Sequence, residues 1–231
     1  MPSDLFVPSA RPAFLRGISL FAGLPEAPLQ RLAAASQPRR LQKGQLLFSQ
    51  GEPGDAVYLV AAGSIAIVLA TEDGRELVIN EMRAGDFFGE LALFPGQTHT
   101  AGALARAASL VLCLPAGAFL AELDTQPALM RRLLDTFAHR LRASSERESA
   151  LAFMTAPARL AGQLLKNVST DPLTGPLVTI SQEELAQRVG VTRQTVAKIL
   201  GGWRRAGWII TGRGRIMLVD RVTLKRLASV G

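Results

Sequence analysis

Apolar positions change their period along this chain, and each change marks a different kind of element. Between residues 43 and 117, short apolar or alternating runs (45–48, 57–60, 64–69, 76–82 and 110–114) are cut by recurrent glycines, among them Gly44, Gly51, Gly63, Gly85, Gly89 and Gly102. Short strands between glycine turns predict an all-β barrel or jelly roll. Asp73-Gly74, between two such runs, is a hairpin signal. The period then becomes helical. Over 127–153, Met130, Leu134, Phe137, Leu141, Ser144, Glu148 and Leu151 fall at alternating spacings of four and three, which predicts one long helix. That stripe fits a helix dimer, and it also fits a helix packed on its own barrel. Further short helices are expected over 28–35, 158–168 and 221–228. Residues 169–176, with Asp171-Pro172 and Gly175-Pro176, read as a loop, and the first dozen residues as loosely held. Pro157 ends the long helical stretch or marks a hinge.

Residues 181–203 carry the most specific pattern. Ser181 and Glu184 have capping-box spacing, and Leu185, Ala186 and Val189 form one apolar face. Gly190 suits the left-handed geometry of a sharp turn, and Thr192 can cap a second helix. In that second helix Val196, Ile199 and Leu200 face inward, leaving Arg193, Gln194 and Lys198 outside. This predicts a helix-turn-helix whose second helix can enter a major groove, the bland alternative being a helical hairpin with a solvated face. Residues 208–211 and 215–219, joined by Gly212-Arg213-Gly214, predict a β-hairpin with a basic tip, a wing suited to phosphates.

Charge sharpens the picture. The 231 residues hold 26 Lys+Arg and 19 Asp+Glu, a net +7. Residues 157–231 contain 12 basic and 4 acidic side chains, leaving 14 and 15 for residues 1–156, so the excess sits in the last third. A basic C-terminal part beside a near-neutral N-terminal one points to a polyanion partner for one half of the chain. A membrane surface fits less well, because no basic amphipathic helix with a broad aromatic face is present. The single cysteine, Cys113, excludes an internal disulfide and a four-cysteine metal or iron–sulfur site. No signal peptide is expected, and the longest uncharged run, 56–71, is too short to span a bilayer, so the chain reads as cytoplasmic. No catalytic Ser/His/Asp arrangement, metal cluster or hydrolase-type phosphate loop is found, so no enzyme is expected.

A glycine-punctuated β-roll, a long helix and a winged helix-turn-helix, in that order, resemble the cyclic-AMP receptor protein (CRP/FNR) superfamily of bacterial transcription regulators. The resemblance runs from about Leu20 to Leu227. It rests on Leu46-Leu47-Phe48, Gly51-Glu52, Gly54-Asp55, Tyr58-Leu59-Val60 and Gly63, then Gly85-Asp86-Phe87-Phe88-Gly89-Glu90-Leu91-Ala92-Leu93-Phe94. Arg140-Leu141-Arg142, Ser144-Ser145-Glu146 and Thr192-Arg193-Gln194-Thr195-Val196 also match. The implied fold is α+β: a sensor β-roll over 1–126, a dimerisation helix and hinge over 127–156, and a winged helix-turn-helix over 157–231. The implied protein is a homodimer that binds double-stranded promoter DNA at palindromic sites and touches RNA polymerase. Met130, Leu134, Phe137, Leu141 and Leu151 would form its interface. Arg193, Gln194 and Lys198 would read bases, with Thr192, Thr195, Ser181 and Arg213 on phosphates.

The resemblance further implies a ligand pocket for a cyclic nucleotide: cAMP, cGMP or a cyclic dinucleotide. Gly89, Leu91 and neighbouring amides would cradle the phosphate, and Glu90 would hold the ribose hydroxyl, unless it serves the turn structurally. Thr100 would follow in the cassette, and Ser144 and Ser145 would meet the base across the dimer. Here the chain departs from the family: the phosphate-binding arginine is His99, which lacks a permanent charged fork. A ligand-independent regulator is therefore the alternative. Haem ligation through His99 or His139 is a lesser reading, since two histidines without a supporting cysteine offer little.

Overall fold

A computed structural model of the chain describes residues 5–70, 76–171, 175–212 and 214–229. The chain forms two compact units, residues 1–140 and 141–231. In the first, α1 (Arg11–Arg16) and α2 (Glu26–Ala35) lead into eight strands: β1 (Gln37–Leu41), β2 (Leu46–Phe48), β3 (Ala56–Ala62), β4 (Ser64–Ala70), β5 (Glu76–Arg83), β6 (Phe87–Phe88), β7 (Gly102–Ala105) and β8 (Ser109–Pro115). Then follow α3 (Ala116–Thr125) and α4 (Pro127–Phe153), which runs on into the second unit.

The strands make two antiparallel four-stranded sheets, ordered β1-β8-β3-β6 and β2-β7-β4-β5. β3 explains why the pattern there reads as a continuous apolar run. Tyr58 and Val60 enter the cluster shared with Phe48, Ile65 and Ala103 of the other sheet, while Val57 and Leu59 face Leu29, Phe119, Leu129 and Leu133 of the helices. A strand covered on both faces has no polar side to alternate with. The β3–β4 turn requires Gly63: at φ +80°, a Cβ there would stand 2.2 Å from Ser109 Oγ. The hairpin signal Asp73-Gly74 lies outside the described residues.

Two expectations need correction in this unit. The described N-terminal segment is anchored, not loose: Leu5 is buried, and the buried Arg11 donates to the carbonyls of Leu5 (2.9 Å) and Ser36 (2.6 Å). The expected α4 stripe also divides. Met130 and Phe137 pack against the helix-facing core of their own roll, Phe137 edge-on to Phe94, whereas Leu134 stays exposed.

The second unit contains α5 (Ala156–Lys166), β9 (Ser169–Asp171), β10 (Gly175–Thr179), α6 (Gln182–Val189), α7 (Arg193–Arg205), β11 (Ile209–Gly212), β12 (Arg215–Leu218) and α8 (Arg221–Ser229). Its sheet runs β11-β12-β10-β9. Residues 169–176 are therefore not simply a loop: Ser169 pairs with Leu177 and Thr170 with Pro176. Gly175 and Pro176 open β10 itself, and strands of three and five residues are too short to show a period. Pro157 lies in the first turn of α5, where its missing N–H costs nothing, and Thr155 caps that helix. Leu160, Leu164, Leu185, Val196, Leu200, Trp203, Ile209, Ile216 and Leu224 share one core. No described helix is long and apolar enough to cross a membrane.

Candidate nucleic-acid interface and ligand pocket

The helix-turn-helix is held by its caps. Ser181 Oγ accepts from the Glu184 amide at 3.1 Å, while the Glu184 carboxylate accepts from the Ser181 amide at 3.0 Å. Gly190 ends α6 in the left-handed region, at φ 71° and ψ 45°. Thr192 Oγ1 accepts from the Thr195 amide at 3.2 Å and starts α7. Burial of Val196, Leu200 and Trp203 fixes the rotation of α7. It leaves Arg193, Gln194, Ala197 and Lys198 exposed, a stripe at helical spacing with fork, amide and ammonium donors. The hydroxyls of Ser181, Thr192 and Thr195 are committed to these caps. Arg213 lies outside the described residues. Exposed Arg204 and Arg205, at the far end of α7, and Arg215, at the start of β12, add positive charge to this unit. Their signal in the sequence is a basic run flanking the wing.

In the first unit, Gly89 begins the Gly-Glu-Leu segment at φ 87°, and a Cβ there would lie 2.8 Å from Tyr58 Cδ2. Both conditions admit glycine alone without rearrangement. Glu90 is 1% exposed, and its Oε1 accepts from Arg140 Nη1 at 2.6 Å. Arg140 also donates to the Phe87 carbonyl and lies 4.9 Å over the Phe87 ring. Burial pushes the Glu90 carboxyl above its ordinary value, and the Arg140 charge opposes that rise. Glu90 Oε2 is buried without a hydrogen-bond partner. The carboxylate expected to meet a ribose is thus half engaged by a residue of α4. Arg140 also lines a cleft of about 220 Å³ with Asn80, Glu81, Asp86 and Thr136.

His99 is 4% exposed and stacks flat on Phe48, ring centroids 3.5 Å apart and planes 8° from parallel. Tyr58 and Phe88 complete the aromatic cluster. Burial lowers the imidazole's pKa, with Asp55 and Glu52 pulling the other way. His99 therefore stays neutral near pH 7 and presents no cation where the family pattern has one. Its backbone joins the same turn, its amide donating to the Glu52 carbonyl and its carbonyl accepting from Gly51.

Leu91 and Thr100 are exposed. In the second unit Ser144 is half-buried and bonds Glu148 at 3.2 Å, and Ser145 is exposed. Leu141 and Leu151 are bare, at 69% and 41% exposure. Cys113, its thiol pushed up to about 11 by burial, packs beside the inter-sheet core. Two residues escape a reading of the pattern alone: Arg140, as partner of Glu90, and Arg159, which bonds carbonyls at both ends of its reach. Arg140 lies within a family motif, but nothing local reveals its partner.

Comparison with known proteins agrees with this layout. The cyclic nucleotide-binding domain family matches residues 38–126, and the Crp-like helix-turn-helix domain family matches 158–227. The chain is 31% identical over 214 residues to a CRP-like cAMP-activated global transcriptional regulator of Mycobacterium tuberculosis, covering 90% of this chain and 96% of that one. It is 34% identical over 160 residues to the cAMP-activated global transcriptional regulator CRP of Salmonella typhimurium, covering 67% and 76%. Among solved structures, a CRP/FNR family transcriptional regulator from Thermus thermophilus matches with a TM-score of 0.70 and 30% identity, over 84% of this chain and 100% of that one. Sequence, fold and helix-turn-helix geometry together place the chain in the CRP/FNR superfamily of transcription regulators, with a cyclic nucleotide-binding domain, a Crp-like helix-turn-helix domain and no enzymatic role.

Proposed function

We propose that this protein is a homodimeric regulator that binds palindromic promoter sites in the cytoplasm and contacts RNA polymerase there. The observation that carries the reading is the exposed Arg193–Gln194–Lys198 face of α7, rigidly presented by caps at Ser181 and Thr192. Arg193 suits guanine O6 and N7, and Gln194 suits adenine N6 and N7. Lys198 suits guanine or a phosphate, and Thr192, Thr195, Ser181 and Arg213 are the proposed phosphate contacts. The bare Leu134, Leu141 and Leu151 of α4 supply apolar surface for pairing two chains. Pairing sets half-sites about one helical turn apart. In vitro selection with randomised DNA tests this: a palindrome with adenine opposite Gln194 is expected. Recovery of unrelated single sites, or binding by a monomer, overturns it.

For the sensor part, a cyclic nucleotide held by Gly89, Glu90, Leu91 and Thr100 is the reading suggested by the domain family, with Ser144 and Ser145 of the second chain of the proposed dimer meeting the base, as the family resemblance implies. A second reading, ligand-independent regulation, is favoured by two observations: His99 is buried and stacked on Phe48, and Glu90 is paired with Arg140. Calorimetry with cAMP, cGMP and cyclic dinucleotides, alongside DNA titrations without ligand, separates the two. Tight DNA binding with no heat from any nucleotide supports ligand independence.

A further inference from the structure

Among the described residues of α5, Arg159 is the side chain that reaches the carbonyl ends of two other helices. It stands in the first turn of α5, half-buried. Its Nε donates to the carbonyl of Val189 at 3.1 Å, the last residue of α6 and the neighbour of the Gly190 turn. Its Nη1 donates to the carbonyl of Met154 at 2.7 Å, immediately after α4. Carbonyls at helix C-termini have no intrahelical partner and carry the negative end of the helix dipole. A guanidinium offers a fixed fork of donors that can satisfy two of them at once.

The need for such a brace follows from the packing. The winged core is built from α5, α6, α7, α8 and the sheet, and no described residue from 141 to 154 belongs to it. The buried residues of α4 are Leu129 and Leu133, both in the first unit. Between the end of α4 and the winged core there is thus a corner at Met154-Thr155 with no apolar packing to set its angle. The Met154 amide closes α4 on the Ala150 carbonyl, and the Thr155 cap with the Arg159-to-Thr155 backbone bond starts α5, so the remaining freedom lies in the Met154–Thr155 link between the two. The Arg159 bond to Met154 closes that freedom, and its bond to Val189 refers the corner to the helix-turn-helix turn.

We propose that Arg159 is a positioning residue: it fixes the corner between the end of α4 and the winged core, and with it the direction in which α7 is presented. The chain's two tryptophans, Trp203 and Trp208, lie in that core with rings 6.3 Å apart, and so report its motion without any DNA. The consequence for half-site spacing rests on the dimeric DNA-binding reading above; the consequence for corner motion does not.

The test uses the full chain with Arg159→Gln and Arg159→Lys. Time-resolved tryptophan anisotropy of Arg159→Gln is expected to gain a nanosecond segmental component absent from the wild type, with Arg159→Lys intermediate. The midpoint of unfolding of the winged core, followed by circular dichroism, is the control for a merely structural role. On DNA, wild-type discrimination between the preferred half-site spacing and one longer by a base pair is expected to relax about tenfold in Arg159→Gln, as befits loss of the charge-assisted bond to Met154 that sets the corner. Base preference within each half-site is expected to stay unchanged. Unchanged anisotropy in a folded Arg159→Gln overturns the proposal. If that variant does not fold, Arg159→Lys with anisotropy decay and spacing preference identical to wild type overturns it equally. Failure of the wild type to bind palindromes removes the dimeric reading and leaves the anisotropy result to decide the role of Arg159.

Discussion

Replacing Arg140 by Met removes the partner of a carboxylate that is 1% exposed. Breaking a buried ion pair from one side costs about 3–5 kcal/mol, because the remaining charge has neither water nor counter-ion. The cost has a ceiling, since Glu90 can take up a proton instead. Holding a carboxyl neutral at pH 7, against an ordinary value near 4.3, costs roughly 3.5 kcal/mol at 1.36 kcal/mol per unit. One Glu90 oxygen already lacks a partner, and Glu90's own backbone amide is the donor left beside the carboxylate. The expected deficit of Arg140→Met at pH 7 is therefore about 3 kcal/mol, or roughly 12 °C in the melting midpoint of the first unit.

The sign of the pH dependence is the sharper check. Burial already raises Glu90, and loss of the opposing Arg140 charge raises it further. A carboxyl whose folded value lies above its unfolded value favours the fold while protonated and penalises it once ionised. The variant's deficit should thus shrink by about 1.4 kcal/mol per unit as pH falls from 7 towards 5. Urea unfolding of wild type, Arg140→Met, Glu90→Gln and the double variant measures both effects, with a coupling of about 2 kcal/mol expected from the cycle. A deficit below about 1 kcal/mol, or one that is flat between pH 5 and 8, refutes the account of Glu90 as a structurally engaged carboxylate.

His99 should contribute a loss of stability as pH drops below about 6.5, because burial lowers its pKa in the fold and the unfolded chain takes up the proton more readily; in His99→Gln that part of the slope, read by thermal melts, should vanish. His99→Arg should raise affinity for a cyclic nucleotide ten- to a hundredfold if the pocket admits one, measured by calorimetry, and unchanged heats speak for ligand independence. Gly89→Ala should cost about 1–3 kcal/mol in a thermal melt, from its positive φ and the approach to Tyr58; a neutral result means the turn can relax. Glutamates at Leu134 and Leu141 should dissociate the proposed dimer in sedimentation without lowering the melting midpoint, since both side chains are bare within their own units.

What is legible in the sequence is what depends on near neighbours. Ser181 with Glu184, Gly190 and Thr192 are three- or four-residue signals, and each cap forms as the spacing implies. α4 likewise spans the residues its stripe indicates. β1 escapes because it is an edge strand with Gln37, Arg39 and Arg40 at or near the surface, and β7 because Gly102, Ala103 and Ala105 are small and leave Leu104 alone to mark it. α3 is hidden by Gly117, which looks like one more barrel turn. In the pocket, the identities of Gly89, Glu90 and His99 are plain from the motif. Their engagements are not, since Arg140 and Phe48 lie some fifty residues away and are brought close by the fold. Arg159 escapes for the same reason, its farther partner being thirty residues on.

Of the two readings of the α4 stripe, a helix packed on its own roll holds for one arc of the helix, and the dimer seam is proposed for another. At about 100° per residue, Leu129, Met130, Leu133 and Phe137 spread over one arc, and Leu134 and Leu141 are centred roughly 75° further round. The first group packs on the roll; the second is bare. A heptad pattern does not separate them, because Met130 and Phe137 are seven apart, as are Leu134 and Leu141. Both pairs keep their own face through a turn count that seven nearly completes. The consequence is mechanical. Arg140 falls within the first arc and bonds Glu90, so the roll-facing side of α4 ends at an ion pair in the family's ligand-binding segment, one residue before the bare Leu141. In the proposed dimer, a change at Glu90 would act one residue in sequence before a side chain offered to the second chain, whether the agent is a nucleotide competing for the carboxylate or a proton neutralising it.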